Sequence, residues 1–254
     1  ESVVMLCLKA IEIKNSIKKK KLKPSEFINQ YYNSKSEWFL LDSYHRQLEQ
    51  RYERFDLEPS DEHTLIEKVV IKARQVYKDM VKELAESFQD SCVSDDFEFD
   101  KILLQRDIFT SEVKPLLENG KLAYIWVDAL RYEMAVELIA GFGEDFKVEM
   151  KQAIATLPTI TEIGMASLLP DADREITIEE SGKSKIGLNI NGESISTRQD
   201  RINYLANKVS GFFETKIDAV LKPSNKIKKQ ISESNFILVT SQEIDEICEQ
   251  GNLT

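Results

Sequence analysis

Apolar positions recur at helical spacing through the first ninety residues, then give way to short apolar runs separated by turn residues. Val3, Val4, Leu6, Ala10, Ile11, Ile13 and Ile17 predict a first helix running into the basic stretch 18–23. Pro24-Ser25-Glu26 opens another, and the segment Tyr31–Phe55 spaces Trp38, Leu41, Tyr44, His45, Leu48 and Tyr52 along one face. Pro59-Ser60-Asp61-Glu62 is a helix start, and Leu65, Val69, Ile71, Ala73, Val76, Met80, Leu84 and Phe88 carry the helix to Ser91. Residues 1–93 therefore predict a helical domain, a bundle whose aromatic stripe is packed core rather than a base-stacking platform. Residues 94–119 predict an acidic linker, Ser94–Asp100, and a short helix from Ile108 to Leu117.

From Gly120 the period changes. Leu122 to Val127 is a near-continuous apolar run ending in Asp128, which predicts a strand buried on both faces, followed by a helix through Leu130, Met134, Ala135, Leu138 and Ile139. Phe146–Ala155 predicts a second strand that reaches a Pro-led turn. Residues 171–200 read as an insertion of short strands, with a hairpin at Asn191-Gly192. Helices are expected at Arg198–Val209 and Ser224–Ile231, a short strand at Asp218–Leu221, and a buried strand at Phe236–Thr240 that delivers Glu243-Ile244-Asp245. Three strand ends, at Asp128, near Thr161 and at Asp245, are expected to share one rim of one α/β sheet, where open sheets bind ligands.

Composition narrows the field. No stretch of the 254 residues approaches the roughly 20 apolar residues of a membrane span, and Cys7, Cys92 and Cys248 form no metal or disulfide pattern; a cytoplasmic protein with no membrane partner is expected. The formal charge of −10 argues against broad nucleic-acid binding. Of that charge −7 falls in residues 116–254, which suits cation binding as well as it suits an ordinary solubilising surface. Because it opens on Glu1 rather than Met, the chain reads as a piece of a longer protein.

Candidate chemistry lies at the strand ends. Asp128 is either a helix cap or a metal-binding or catalytic acid. A hydroxyl in Leu157-Pro158-Thr159-Ile160-Thr161-Glu162 stands at a strand-to-helix turn, a position that favours an oxyanion. Taken together, Val127-Asp128-Ala129-Leu130-Arg131-Tyr132-Glu133 and Leu157-Pro158-Thr159-Ile160-Thr161-Glu162 resemble the PglZ domain, a branch of the alkaline phosphatase superfamily associated with BREX phage defence. The resemblance implies an N-terminal helical bundle followed by the first part of an alkaline phosphatase-like α/β/α sheet domain, residues 120–254, truncated at its C-terminal side.

It also implies a metal-dependent phosphohydrolase, a phosphodiesterase or nuclease, using two divalent ions, Zn with Mn or Mg as alternatives, about 4 Å apart. By position in the motifs Asp128 corresponds to a metal ligand, Thr161 to both ligand and nucleophile with Thr159 as runner-up, and Asp245 to a ligand of the other metal. Arg131 is a candidate for holding a phosphate oxygen, with pairing to Glu133 as the alternative. The family's Gly-His after that second acid is replaced by Glu246-Ile247-Cys248-Glu249, leaving open whether Cys248 or Glu249 substitutes; His45 and His63 precede the site and read as structural. Implied partners are other BREX components (methyltransferase, ATPase, small accessory subunit) and a DNA or nucleotide substrate. The alternative is a non-catalytic scaffold with a degenerate metal site.

Overall fold

The computed structural model describes residues 1–54, 61–97, 99, 102–174, 176–180 and 186–250, the side chains at 61–63 and 248–250 excepted; the side chains of His63, Cys248 and Glu249 thus lie outside the described residues. The chain divides into two compact units, 1–102 with 131–152, and 103–130 with 153–254.

The first unit is helical: α1 (Ser2–Lys19), α2 (Pro24–Tyr32), α3 (Leu40–Glu53) and α4 (Asp61–Ser94). At the start of α2 Glu26 Oε2 accepts from the Lys23 amide at 2.9 Å, and Pro24 costs nothing at a position with no intrahelical donor to lose. Leu6, Ala10 and Ile13 of α1 pack with Phe27, Trp38, Leu41, Leu48, Val70, Ala73 and Met80 into one core, so the aromatic stripe is packing, as its spacing implied. His45 stacks on Tyr77 at 3.8 Å and lies 3.4 Å from Glu49.

The second unit carries the sheets. Its elements up to the site are β1 (Leu103–Leu104), α5 (Lys114–Glu118) and β2 (Leu122–Val127); α6 (Tyr132–Ala140), next along the chain, belongs to the helical unit. The chain continues through β3 (Ala153–Ile154), α7 (Thr161–Ala166), β4 (Ile176–Glu180), β5 (Ile186–Ile190), β6 (Glu193–Ile195), α8 (Arg198–Lys208), β7 (Phe212–Lys216), α9 (Ile217–Leu221), α10 (Asn225–Glu233), β8 (Phe236–Ser241) and α11 (Glu243–Gln250). The main sheet is parallel, in the order β2-β8-β7. An antiparallel sheet β4-β5-β6 packs on it through α7 and α8, and Asn191 and Gly192, at φ 53° and 86°, make the tight β5–β6 turn the dipeptide predicted. Gly187 is required where β5 passes β6, since a Cβ there would lie 2.7 Å from the Ile195 carbonyl oxygen.

Several expectations change. β2 is an edge strand and exposes Ile125 by 51%; the strand buried on both faces is β8, central in the sheet, with Phe236, Ile237, Leu238 and Val239 all buried. The strand expected over 146–155 contracts to Ala153–Ile154 and pairs with β1, not with the main sheet. The segment 217–221 is helical, and the strand lies just before it at Phe212–Lys216.

Two tests follow. Leu238, fully buried in the central strand, should cost about 2–5 kcal/mol when changed to Ala, read by urea denaturation; a loss under 1 kcal/mol would mean β8 is not central to the core. In the helical unit, burial pushes the Glu133 carboxyl above its ordinary value near 4.5. Arg131 and Arg46 pull against that rise and Asp42 adds to it. A raised acid contributes stability below its unfolded value and loses it as pH climbs through the folded one. Glu133→Gln should therefore flatten the decline in unfolding free energy above about pH 4.5. An equally steep decline in the variant would refute this.

Candidate active site

Asp128 stands where β2 ends. Its amide donates to the Ser241 carbonyl at 3.0 Å, extending the β2–β8 ladder one residue past the strand, and its Oδ1 accepts from the Ala129 amide at 3.0 Å. Ala129 is in the left-handed region at φ 58°, a conformation that costs a residue with a Cβ about 1–2 kcal/mol. The chain turns there, and α6 begins only at Tyr132 with Arg131 as its N-cap. The helix-cap role is thus not the one Asp128 takes.

Thr161 is reached by a different route. The turn before it, whose Leu157–Pro158 bond is cis, is anchored by Gln105, whose Oε1 accepts from the Thr156 amide at 3.0 Å. Thr161 is the first residue of the six-residue α7, and its side chain is exposed. β3 lies outside the main sheet, so the three strand ends do not share one sheet rim. Asp128 and Thr161 nevertheless line the same cleft, of about 40 Å³, with Trp126, Met165, Arg198, Arg201, Ile202, Thr240, Ser241 and Gln242; Thr159 does not line it.

Asp245 lies in the first turn of α11, half-buried. Burial raises the Asp128 carboxyl above its ordinary range and the negative charge of Asp245 adds to the rise; the Ala129 amide and Arg201 oppose it. Asp245 does not line the cleft, but its charge acts on Asp128 there, an arrangement that favours a bound cation or proton. Among the described residues, however, no group of three or more His, Cys, Asp or Glu side chains could hold a metal. Asp128, Asp245 and the Thr161 hydroxyl are three oxygen donors, fewer than the four ligands of a closed tetrahedral metal site.

Arg131 lies in the helical unit, its Nε 3.0 Å from Glu133 Oε1. The guanidiniums at the cleft are Arg198 and Arg201, one turn apart at the start of α8, which opens with a capping box between Thr197 and Asp200. Arg198 is committed to Glu214 on β7 and to Thr240 Oγ1 at 3.2 Å. Arg201 belongs to no motif in the sequence. Its signal was a cation in the helix stripe, with Tyr204 and Leu205, that should be apolar and is buried at all three positions.

The second unit is thus an α/β domain with a parallel sheet, and its acid and its cleft lie at the carboxyl end of the strands, where open α/β sheets place their ligands. Residues 108–252 match the family described as the BREX system PglZ alkaline phosphatase-like domain, and the chain belongs to that family. It is also similar to the alkaline phosphatase-like protein BrxZ of Escherichia coli O9:H4 (strain HS), 38% identical over 71 residues, a stretch that covers 26% of this chain and 8% of that relative. No solved structure matches the chain. No helix among the described residues is long and apolar enough to cross a membrane.

The repulsion at the cleft is measurable. With chelator present at neutral pH, Asp128→Asn should stabilise the protein by about 1 kcal/mol, as substitutions at strained functional sites often do. The gain should vanish at a pH where Asp128 is protonated in the wild type. Destabilisation at neutral pH would show that Asp128 is a structural acid instead.

Proposed function

We propose that this chain carries the nucleophile and the first metal-binding acids of a phosphohydrolase, a phosphodiesterase or nuclease, that works within a BREX-type antiphage assembly. The observation that carries the reading is the meeting of Asp128 and Thr161, 33 positions apart in the chain, on one cleft at the end of a parallel sheet. Asp128 and Asp245, with the Thr161 hydroxyl, would hold one divalent ion, Zn with Mn or Mg as alternatives, and such an ion supplies the positive charge that offsets the two acids and polarises a phosphoryl group.

The remaining work falls to the chain's own groups. Thr161 Oγ1, exposed, attacks phosphorus as the bond to the leaving ester oxygen breaks; the hydroxyl proton leaves with that oxygen as an alcohol, by way of solvent water, and water then cleaves the resulting Thr161 phosphodiester to release the phosphomonoester and restore the hydroxyl. Asp128, with its carboxyl pushed up by burial, is suited to orienting that hydroxyl. The cleft is small, about 40 Å³, so the bulk of a nucleotide or DNA strand would lie outside it. Other BREX components are the proposed partners.

A second reading, a scaffold subunit with a degenerate site, is favoured by the sparse donor set among the described residues. Hydrolysis of bis(p-nitrophenyl) phosphate by the full-length protein with manganese or zinc separates the two. Thr161→Ala should cost about 10³-fold in kcat with little change in thermal stability. Undiminished hydrolysis in the variant would exclude Thr161 as nucleophile, and absence of both hydrolysis and divalent-ion binding in the wild type would favour the scaffold.

A further inference from the structure

Arg201 is 7% exposed, yet its Nε and Nη1 are buried with no hydrogen-bond partner. A guanidinium stays charged under essentially all conditions, so it cannot escape burial by losing a proton. Native proteins pair such charges, because an uncompensated one is strongly destabilising. Here the field is only partly answered: Glu162 and Asp128 are its largest favourable neighbours, Asp200 helps, Arg198 opposes, and none of the acids forms an ion pair with it.

The other guanidinium on the cleft, and the Arg131 candidate of the helical unit, both have acid partners. Arg198 reaches Glu214 and Thr240, and Arg131 pairs with Glu133. Of the two on the cleft that Asp128 and Thr161 line, Arg198 leaves only its Nε buried without an acceptor, whereas Arg201 has both Nε and Nη1 without one and no ion pair among the described residues.

We propose that Arg201 is the oxyanion-binding residue of this cleft, donating to a non-bridging oxygen of a phosphoryl group held beside Thr161. The inference deepens the phosphohydrolase reading and rests on it for the identity of the anion as a phosphoryl group. α8 holds the side chain from a rigid, capped first turn, with Tyr204 and Leu205 buried one turn on, so the guanidinium is fixed before any ligand arrives. Binding then satisfies donors already desolvated, and the cost of ordering a long flexible side chain has been met by folding.

The test uses inorganic phosphate as probe, titrated into the full-length protein with and without manganese and followed by calorimetry and by thermal shift. Arg201→Met should weaken phosphate binding by about ten- to a hundredfold, and Arg201→Lys should retain an intermediate affinity. Arg174→Gln, a change at a surface partner of Asp171, should leave it unchanged. Without phosphate, Arg201→Met should melt no lower than the wild type, because it removes an unpaired buried charge. Wild-type affinity in Arg201→Met, or no saturable phosphate binding by the wild type under either condition, would overturn the inference. So would a melting temperature of Arg201→Met several degrees lower without phosphate, since that would reveal a structural partner. If Thr161→Ala leaves hydrolysis intact while Arg201→Met loses phosphate, the nucleophile assignment fails and the inference stands. If Thr161→Ala abolishes hydrolysis while Arg201→Met binds phosphate normally, the reverse holds.

Discussion

The parallel pairing of β2 with β8 is the constraint on which the second unit depends. Six residue pairs, Leu122 with Phe236 through Val127 with Ser241, fix one register, and the Asp128 amide extends it by bonding to Ser241. A slip by one residue would turn every side chain of β8 to the opposite face. It would also draw Asp128 away from the start of α11, which brings Asp245. β8 tolerates the central place because it has an apolar residue at each of four consecutive positions, the composition a strand covered on both faces requires. Tyr124 on β2 then meets Phe236 edge-on at 6.1 Å and Phe109 at 6.4 Å, so the core ties the sheet to the segment before it.

What the register gathers at its carboxyl end is electrostatically uncomfortable. Burial and a neighbouring acid raise the Asp128 carboxyl, Arg201 lies buried without a hydrogen-bond partner, and Ala129 is held in a conformation that favours glycine. Each departs from what folding alone would select, and all lie within one short stretch or on one cleft. Strain and unmet charge persist only where the surrounding structure over-determines them, and the β2–β8 ladder on one side and the capped α8 on the other provide that support.

The sequence was legible where one physical signal acted alone. Four apolar residues in a row marked β8, Asn191-Gly192 marked a hairpin, and Ser224 marked a helix start, where its hydroxyl accepts from the Ile227 amide. The run Leu122 to Val127 misled because an edge strand with alternate burial can still be written entirely in apolar residues, Ala123 and Ile125 facing out. Strand β7, Phe-Phe-Glu-Thr-Lys, was lost because its polar end reads as a loop; it is a strand through its pairing with β8, a tertiary effect. Thr161 was readable as a site residue through its motif, but not the route by which it arrives, since β3 joins a separate two-stranded sheet. Arg201 was invisible to a motif search because nothing around it in the chain is distinctive. What sets it apart from Arg198 one turn earlier is that Arg198 has Glu214 and Thr240 as partners while Arg201 is buried with two donor nitrogens unmet.

The charges of the cleft also constrain what can occupy it. An anion alone would satisfy Arg201 but would sit against Asp128, which Asp245 already repels. A cation alone would relieve the two acids but would add to the positive field at a guanidinium that Arg198 already opposes. Under the reading proposed above, a divalent ion and a phosphoryl group arriving together answer both halves, each charge meeting its opposite in a space of low dielectric where such pairing is strongest. Neither ligand on its own would then bind as tightly as it does in the presence of the other, and the free-energy coupling between them must be the same from either side.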